Sequence, residues 1–466
     1  MTDWRTVLLA ERIRPEAVRS SANGWWFAVA TVCLGAFMGQ LDASIVTLTY
    51  PALRAEFHTS LAAVEWVSLS YLLTLVAALI PVGRLADARG RKLLYLYGFV
   101  VFTLASALCG LAPSLLALVL FRVVQAAGAA MLQANSVALV TISAPRPRVR
   151  AALGVQAAAQ ALGLALGPTL GGILVTAVGW RWVFVINVPV GVLGVLAGYY
   201  LLPRTREHTP ITGFDWRGLT LLAAVTTTGL LAVSAASGLH LPAVAVVALF
   251  VLAALAGVAF VRRQRSAVKP LVDLALLAER AVRSGLLAAL GGYLVLFGPL
   301  VLVPIVLTQR GYPAAGTGLV LTALPAGFAL AATLADRVLP AGWTDRTRCT
   351  LGTALCLPAL AAALLLPLGP AELVPELAVL GLGLGVFTPA NNAMIMTAIP
   401  ARSAGTGGGL VNMTRALGTA LGVALVTLTL HLAHDTGAGP ALITLLVAAA
   451  LTLVATRATV ARRRAS

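Results

Sequence analysis

The chain has 466 residues, of which 59% are apolar and only 11% charged, with a formal net charge of +17. A soluble domain carries about a quarter of its residues charged, so this composition excludes a water-facing surface of matching size and assigns the chain to lipid. The basic residues sit in short clusters between apolar runs, which excludes a nucleic-acid-binding domain. The four cysteines (Cys33, Cys109, Cys349, Cys356) form no Cys-x-x-Cys pair, so neither a metal site nor a disulfide framework is expected.

The first residues are polar and carry Arg5, Arg12, Arg14 and Arg19, without the short apolar core and cleavage site of a signal peptide. The first span is therefore expected to act as the insertion signal. A helix needs about 20 apolar residues to cross the hydrocarbon core. Polar clusters and Pro/Gly turns delimit six predicted spans, at 25–49, 63–82, 93–112, 115–141, 151–177 and 183–202. Two more follow at 217–237 and 241–261, and a last six at 285–308, 315–336, 349–367, 373–398, 405–431 and 439–459.

Fourteen spans put both termini on one side. With that side inside, inner segments hold 28 of the 33 Lys and Arg residues. Outer loops hold three, Arg54, Arg181 and Arg310, and two remain within spans, Arg122 and Arg415. Cytoplasmic loops collect positive charge. Both termini are thus expected in the cytoplasm, with the chain in the inner (cytoplasmic) membrane. The asymmetry accounts for the +17 without a polyanionic partner.

Two words recur along the chain. Gln160 to Gly167 reads QALGLALG and Arg415 to Gly422 reads RALGTALG, matching at six of eight positions 255 residues apart. Leu85-Ala86-Asp87 recurs as Leu334-Ala335-Asp336. Both repeats skip eight spans. The predicted fold is an all-α membrane protein of two six-helix bundles with two inserted helices. Its divisions are a cytoplasmic segment 1–24, a bundle 25–202, inserted helices with a flanking loop 203–262, a linker 263–284, a second bundle 285–459 and a tail 460–466. Repeated halves mark transporter folds with a substrate site near the midplane.

Ionisable groups inside a span are functional by default, because they are costly in lipid unless paired or hydrated. Asp42 lies about 12 Å below the outer end of span 1 at helical rise, and Arg122 enters span 4 to a similar depth. The pair is read as the proton-coupling site, with a static structural ion pair as the alternative. Glu65 and Glu376 are read as lying near outer helix ends, and Asp336 near an inner one. Arg415, Asn412, Asn391 and Asn392 either line a substrate cavity or bind one another. Gln125, Gln133, Gln156 and Gln160 have the same two readings. His431, His434 and Asp435 are read as a solvated loop rather than a metal site.

Five words in order carry a family resemblance. They are LDASIV (Leu41 to Val46), GRLADARGRK (Gly83 to Lys92), Arg122-Val123-Val124-Gln125 with Gly128, the Gly163/Gly167/Pro168/Gly171/Gly172 word, and WRWVFVINVP (Trp180 to Pro189). The chain resembles the major facilitator superfamily, in particular its fourteen-span drug:proton antiporters. Departures are Thr47, where the family more often has Asn, and the loop after span 10, which keeps only Asp336 and Arg337 of the first half's basic motif. The resemblance implies that Gly83, Asp87, Gly90 and Arg91 form a conformational latch on the cytoplasmic side. It also implies that the Gly163–Gly172 word is an antiporter motif pointing to export, kinked at Pro168.

The function expected is proton-coupled antiport of amphiphilic small molecules (drugs, antibiotics or metabolites) by alternating access, in the manner of a multidrug efflux protein conferring antibiotic resistance. A dedicated exporter of one endogenous or lipid-like metabolite, or a sensor or scaffold without flux, are the alternatives. No nucleophile–base grouping or phosphate loop points to an enzyme. The proton gradient supplies energy with no cofactor, lipid surrounds the chain, and a monomer is expected. The apparent lack of an acid in the second half disfavours dicationic substrates.

Overall fold

The computed structural model describes residues 13–457 except 22, 60, 206–214, 238–241, 269, 313 and 433–437. Among the described residues all regular structure is helical. Lipid offers no partner for a free backbone N–H or C=O, so a spanning segment satisfies these groups internally as a helix. Prolines inside helices, such as Pro81, Pro299, Pro304 and Pro389, are tolerated for the same reason.

The long helices in chain order are α1 (Gly24–Ile45), α2 (Leu61–Arg89), α3 (Arg91–Gly110), α4 (Leu115–Ser143), α5 (Val149–Ala177), α6 (Asn187–Leu201) and α7 (Trp216–Ser237). They continue with α8 (Ala243–Ser266), α9 (Arg280–Gln309), α10 (Ala314–Val338), α11 (Asp345–Leu365), α12 (Pro370–Ala398), α13 (Ala404–Leu432) and α14 (Gly439–Arg457). Among the described residues, thirteen stretches are long and apolar enough to cross a membrane; α7, the remaining long helix, has 22 residues. The predicted first span is shorter than expected as a helix. It gives way after Ile45 to a 3-10 turn (Val46–Thr49) and a short helix, Tyr50–Phe57.

The helix ends follow local chemistry. The Ser114 hydroxyl accepts the Ala117 N–H at the start of α4, and Thr344 accepts the Thr347 N–H at the start of α11. Gly90, at φ 104°, makes the immediate turn from α2 into α3, a conformation that a Cβ disfavours. Lys92, counted among the inner positive charges, is fully buried. Its Nζ donates to the carbonyls of Tyr199 (3.0 Å) and Leu202 (2.8 Å), capping the C-terminal end of α6.

Two compact units divide the chain. The first holds residues 1–152, 162–214 and 400–410; the second holds 153–161, 215–399 and 411–466. The inserted helices α7 and α8 therefore group with the second unit. So does the nine-residue segment 153–161 of α5, while the first turns of α13 group with the first unit. Asp215, almost fully buried, ties α7 to α8: it accepts from Gly218 N, Arg263 Nε and Gln264 Nε2. The apolar α8 is otherwise left open, with no residue of its most apolar stretch buried, as suits a surface against lipid.

The repeat seen in the sequence is also a repeat of helix contacts. In the first unit, a Cβ at Gly163 or Gly167 would overlap the Phe37 carbonyl or the Ser44 side chain, so α5 lies close on α1. In the second, Gly418 and Gly422 bring α13 as close to Leu290 and Leu294 of α9. Gly98 and Gly128 join α3 to α4 in the same way that Gly352 and Gly383 join α11 to α12. Small residues at such crossings let backbones approach where lipid offers no hydrophobic drive.

Candidate functional site

Asp42 and Arg122 meet, and neither is exposed beyond 1%. Arg122 NH1 donates to Asp42 Oδ2 at 2.7 Å. Oδ1 accepts two further bonds, from Gln125 Nε2 at 3.0 Å and Asn187 Nδ2 at 2.9 Å. Gln125 is used at both ends of its amide, accepting from Arg122 NH1 (2.6 Å) and donating also to Ser106 Oγ (2.8 Å). Arg122 Nε donates to the Val67 carbonyl, and its guanidinium lies 4.0 Å over the Tyr71 ring and 5.7 Å from that of Phe184.

Helices α1, α2, α3, α4 and α6 thus close around one carboxylate. A buried ion pair holds only when its remaining hydrogen-bonding capacity is met, and here both carboxylate oxygens are engaged. The glycine word positions the carboxylate. Gly163, Gly167 and Gly171 repeat at a four-residue spacing and face Phe37 to Ile45 of α1 and Leu48 of the turn after it, so α5 fixes the helix that bears Asp42. Gly172 faces open space, and the Pro168 side chain lies outside the described residues, as do those of Thr47, His431, His434 and Asp435.

Sequence reasoning left Gln125 as either a substrate-cavity residue or an interhelical tie; in the structure it bonds to Asp42 and Arg122. Asn187 stood in the WRWVFVINVP word without a site role. Its position as the first residue of α6, aimed at Asp42, explains why an amide is there. The same word supplies Trp180 and Arg181, which bind Glu56 beyond α1. The Trp180 indole N–H (2.5 Å), and then Arg181, hold the Glu56 carboxyl below the usual carboxylate value.

Asp87 lies on α2 but serves α13. Its Oδ1 accepts from Gly405 N (2.6 Å) and its Oδ2 from Thr406 N (2.7 Å) and Thr406 Oγ1 (2.8 Å). These are orphan donors of the first turn of α13, where a carboxylate is favoured. Arg91 holds Asp87 in place at 2.8 Å and donates to the Ala401 carbonyl at 2.6 Å. At Gly83 a Cβ would overlap the Gly405 carbonyl. In the second unit Arg348 NH1 binds Asp336 Oδ1 at 2.6 Å, a partner the sequence reading missed because it lies across a loop at the start of α11.

Apart from Gln133 of α4, the remaining polar candidates lie in the second unit. Arg415 is 5% exposed, donates from NH1 to Asn412 Oδ1 at 3.2 Å and stands 5.1 Å over the Tyr293 ring. Its Nε has no partner, and among the described residues no carboxylate pairs with it. Asn391 Nδ2 donates to the Gly285 carbonyl at 3.0 Å, which ties α12 to α9. Asn392 is buried, and so is Gln156, whose Nε2 has no partner; Gln160 is half-buried. Glu376, read from the sequence as a helix-end acid, is 8% exposed.

The Major Facilitator Superfamily model matches residues 32–423. The riboflavin transporter RibZ of Clostridioides difficile is 32% identical over 411 residues, covering 86% of this chain and 87% of that one. The drug efflux pump JefA of Mycobacterium tuberculosis is 33% identical, covering 84% and 78%. The human organic anion transporter MFSD10 shares the fold, with a TM-score of 0.68 at 17% identity over 93% of this chain and 99% of that one. Helices, repeat and family model agree: the chain is a multi-pass membrane transporter, not an enzyme, and belongs to the Major Facilitator Superfamily.

Proposed function

We propose that this transporter exports small amphiphilic molecules in exchange for protons, by alternating access of its two halves. The observation that carries the reading is the Asp42 carboxylate, which has a basic partner in Arg122 and neutral ones in Gln125 and Asn187. Protonation of Asp42 removes the negative charge that Arg122 balances. The freed guanidinium then has reason to move, which links proton binding to a change of state. Asp87, holding the first turn of α13 from α2, is the second element whose release accompanies that change, with Arg91 as its support. The cytoplasm is taken as the side of both termini, and the inner membrane as the location.

The drug-efflux relative supports a broad amphiphile as substrate. The riboflavin transporter supports a second reading, one dedicated metabolite with a planar ring, for which Arg415 over Tyr293 offers a matching face. Proton-driven efflux from proteoliposomes across a panel of amphiphiles and riboflavin separates the two. Unchanged pH dependence of efflux in Asp42→Asn would sink the coupling assignment. Single cysteines, Ser266→Cys and Gly437→Cys, report orientation: labelling of the first only from outside overturns the topology.

A further inference from the structure

Tyr71 of α2 is 1% exposed, and the Arg122 guanidinium lies 4.0 Å over its ring, closer than the 5.7 Å to that of Phe184. Its hydroxyl has no hydrogen-bond partner among the described residues. A buried tyrosine ordinarily satisfies its hydroxyl, so the contact that accounts for this side chain is the one its ring makes. The other partners of Arg122 are Asp42, the Val67 carbonyl and Gln125 Oε1. Asp42 alone among them is charged, and among the described residues no second carboxylate pairs with Arg122.

A proton on Asp42 leaves the guanidinium as an unbalanced cation inside the span, where an unpaired charge is costly. The carbonyls of Val67 and Gln125 remain to accept its N–H groups, and the Tyr71 face remains to meet its charge. A π face attracts a cation and repels an anion. Over the closed Asp42–Arg122 pair the two effects oppose each other; over Arg122 alone only the attraction is left. The ring therefore stabilises the arginine more when Asp42 is neutral than when it is charged.

We propose that Tyr71 is a positioning residue, whose ring is the seat that holds Arg122 in place while Asp42 carries no charge. The hydroxyl takes no part, so phenylalanine serves as well. A residue that only filled space would contribute equally in both charge states of Asp42. For its place in transport the inference rests on the reading of Asp42 as the proton-binding group; the hold of the ring on the guanidinium is measured without transport.

The test is a double-mutant cycle on thermal unfolding of the full-length protein in detergent, with Asp42→Asn standing for the protonated carboxyl. Tyr71→Leu is expected to lower the unfolding temperature by about 2–4 °C more in the Asp42→Asn background than in wild type. Tyr71→Phe is expected to show no such excess, nor is Phe99→Leu, which removes a fully buried ring of α3 that faces Gly35 and Gly194. If the double variant does not fold, efflux by the single variants in proteoliposomes decides: Tyr71→Leu is expected to be about ten-fold slower than wild type, with the rate restored in Tyr71→Phe. Equal losses in the two backgrounds, an equal excess with Tyr71→Phe, or wild-type efflux in Tyr71→Leu would overturn the inference. Unchanged pH dependence of efflux in Asp42→Asn overturns the coupling reading instead, and leaves the result of the cycle standing.

Discussion

The two units treat charge inside the membrane in opposite ways. In the first, Asp42 and Arg122 close on each other, and Gln125, Asn187 and the Val67 carbonyl meet their remaining groups. In the second, among the described residues, Arg415 has an amide and an aromatic ring but no acid, and the Glu376 carboxylate has no hydrogen-bond partner. Yet both units are built on the same glycine contacts, Gly163 and Gly167 in one and Gly418 and Gly422 in the other. The scaffold is repeated; the polar contents are not. A closed charge pair suits a device that changes state when one member is protonated.

The largest effect is expected from breaking the closed pair. Arg122→Ala strands a buried carboxylate and should cost about 3–5 kcal/mol, read as a drop in thermal unfolding temperature together with loss of efflux. Arg122→Lys keeps the charge without the planar fork and should fall between the two. An unfolding temperature unchanged in Arg122→Ala would show that the pair is not a buried one.

The open carboxylate should behave in the opposite sense. Glu376→Leu removes a buried group without hydrogen-bond partners and should stabilise the protein by about 1–3 kcal/mol. A destabilised Glu376→Leu would mean that the carboxylate has a partner in the folded protein.

The shared scaffold is tested by pairing substitutions across the repeat. Gly167→Val and Gly422→Val each force a side chain into a helix crossing and should each cost about 1–3 kcal/mol. Near-equal losses of unfolding temperature sharpen the comparison. A loss confined to one of them breaks it.

The smallest effect is at Glu56, where the Trp180 indole and Arg181 lower the carboxyl's pKa in the folded state. Its stabilisation is present above the unfolded carboxylate pKa and fades as pH falls through the folded one. The unfolding temperature of Glu56→Gln should therefore lie slightly below wild type at neutral pH, with the gap closing on acidification. A gap that widens in acid contradicts the assignment.

Much of this was legible in the sequence. Apolar runs long enough to span lipid located most helix ends to within a few residues, because the bilayer imposes both length and hydrophobicity; α2, which runs on to Arg89 past the predicted 82, departs most. Asp42 and Arg122 stood out because charges in the middle of spans are rare. Asn187 and Tyr71 did not: an amide at a helix start and a tyrosine in a span have many structural uses, and their direction toward Asp42 depends on how α2 and α6 are rotated. Glu376 is a similar case. The sequence placed it near the outer end of its span, and it does lie in the second turn of α12, but only the structure shows that it is buried there. Arg348 escaped notice because its partner, Asp336, lies across a loop whose path the sequence does not specify.

The account rests most directly on proton movement through Asp42. Proteoliposomes carrying an internal pH-sensitive dye are loaded with a transported amphiphile, and the change in internal pH that accompanies its movement is recorded without an imposed proton gradient. Wild type is expected to show substrate-dependent proton movement, and Asp42→Asn is expected to show none while remaining folded and able to bind substrate. Proton movement of equal size in Asp42→Asn would contradict the account.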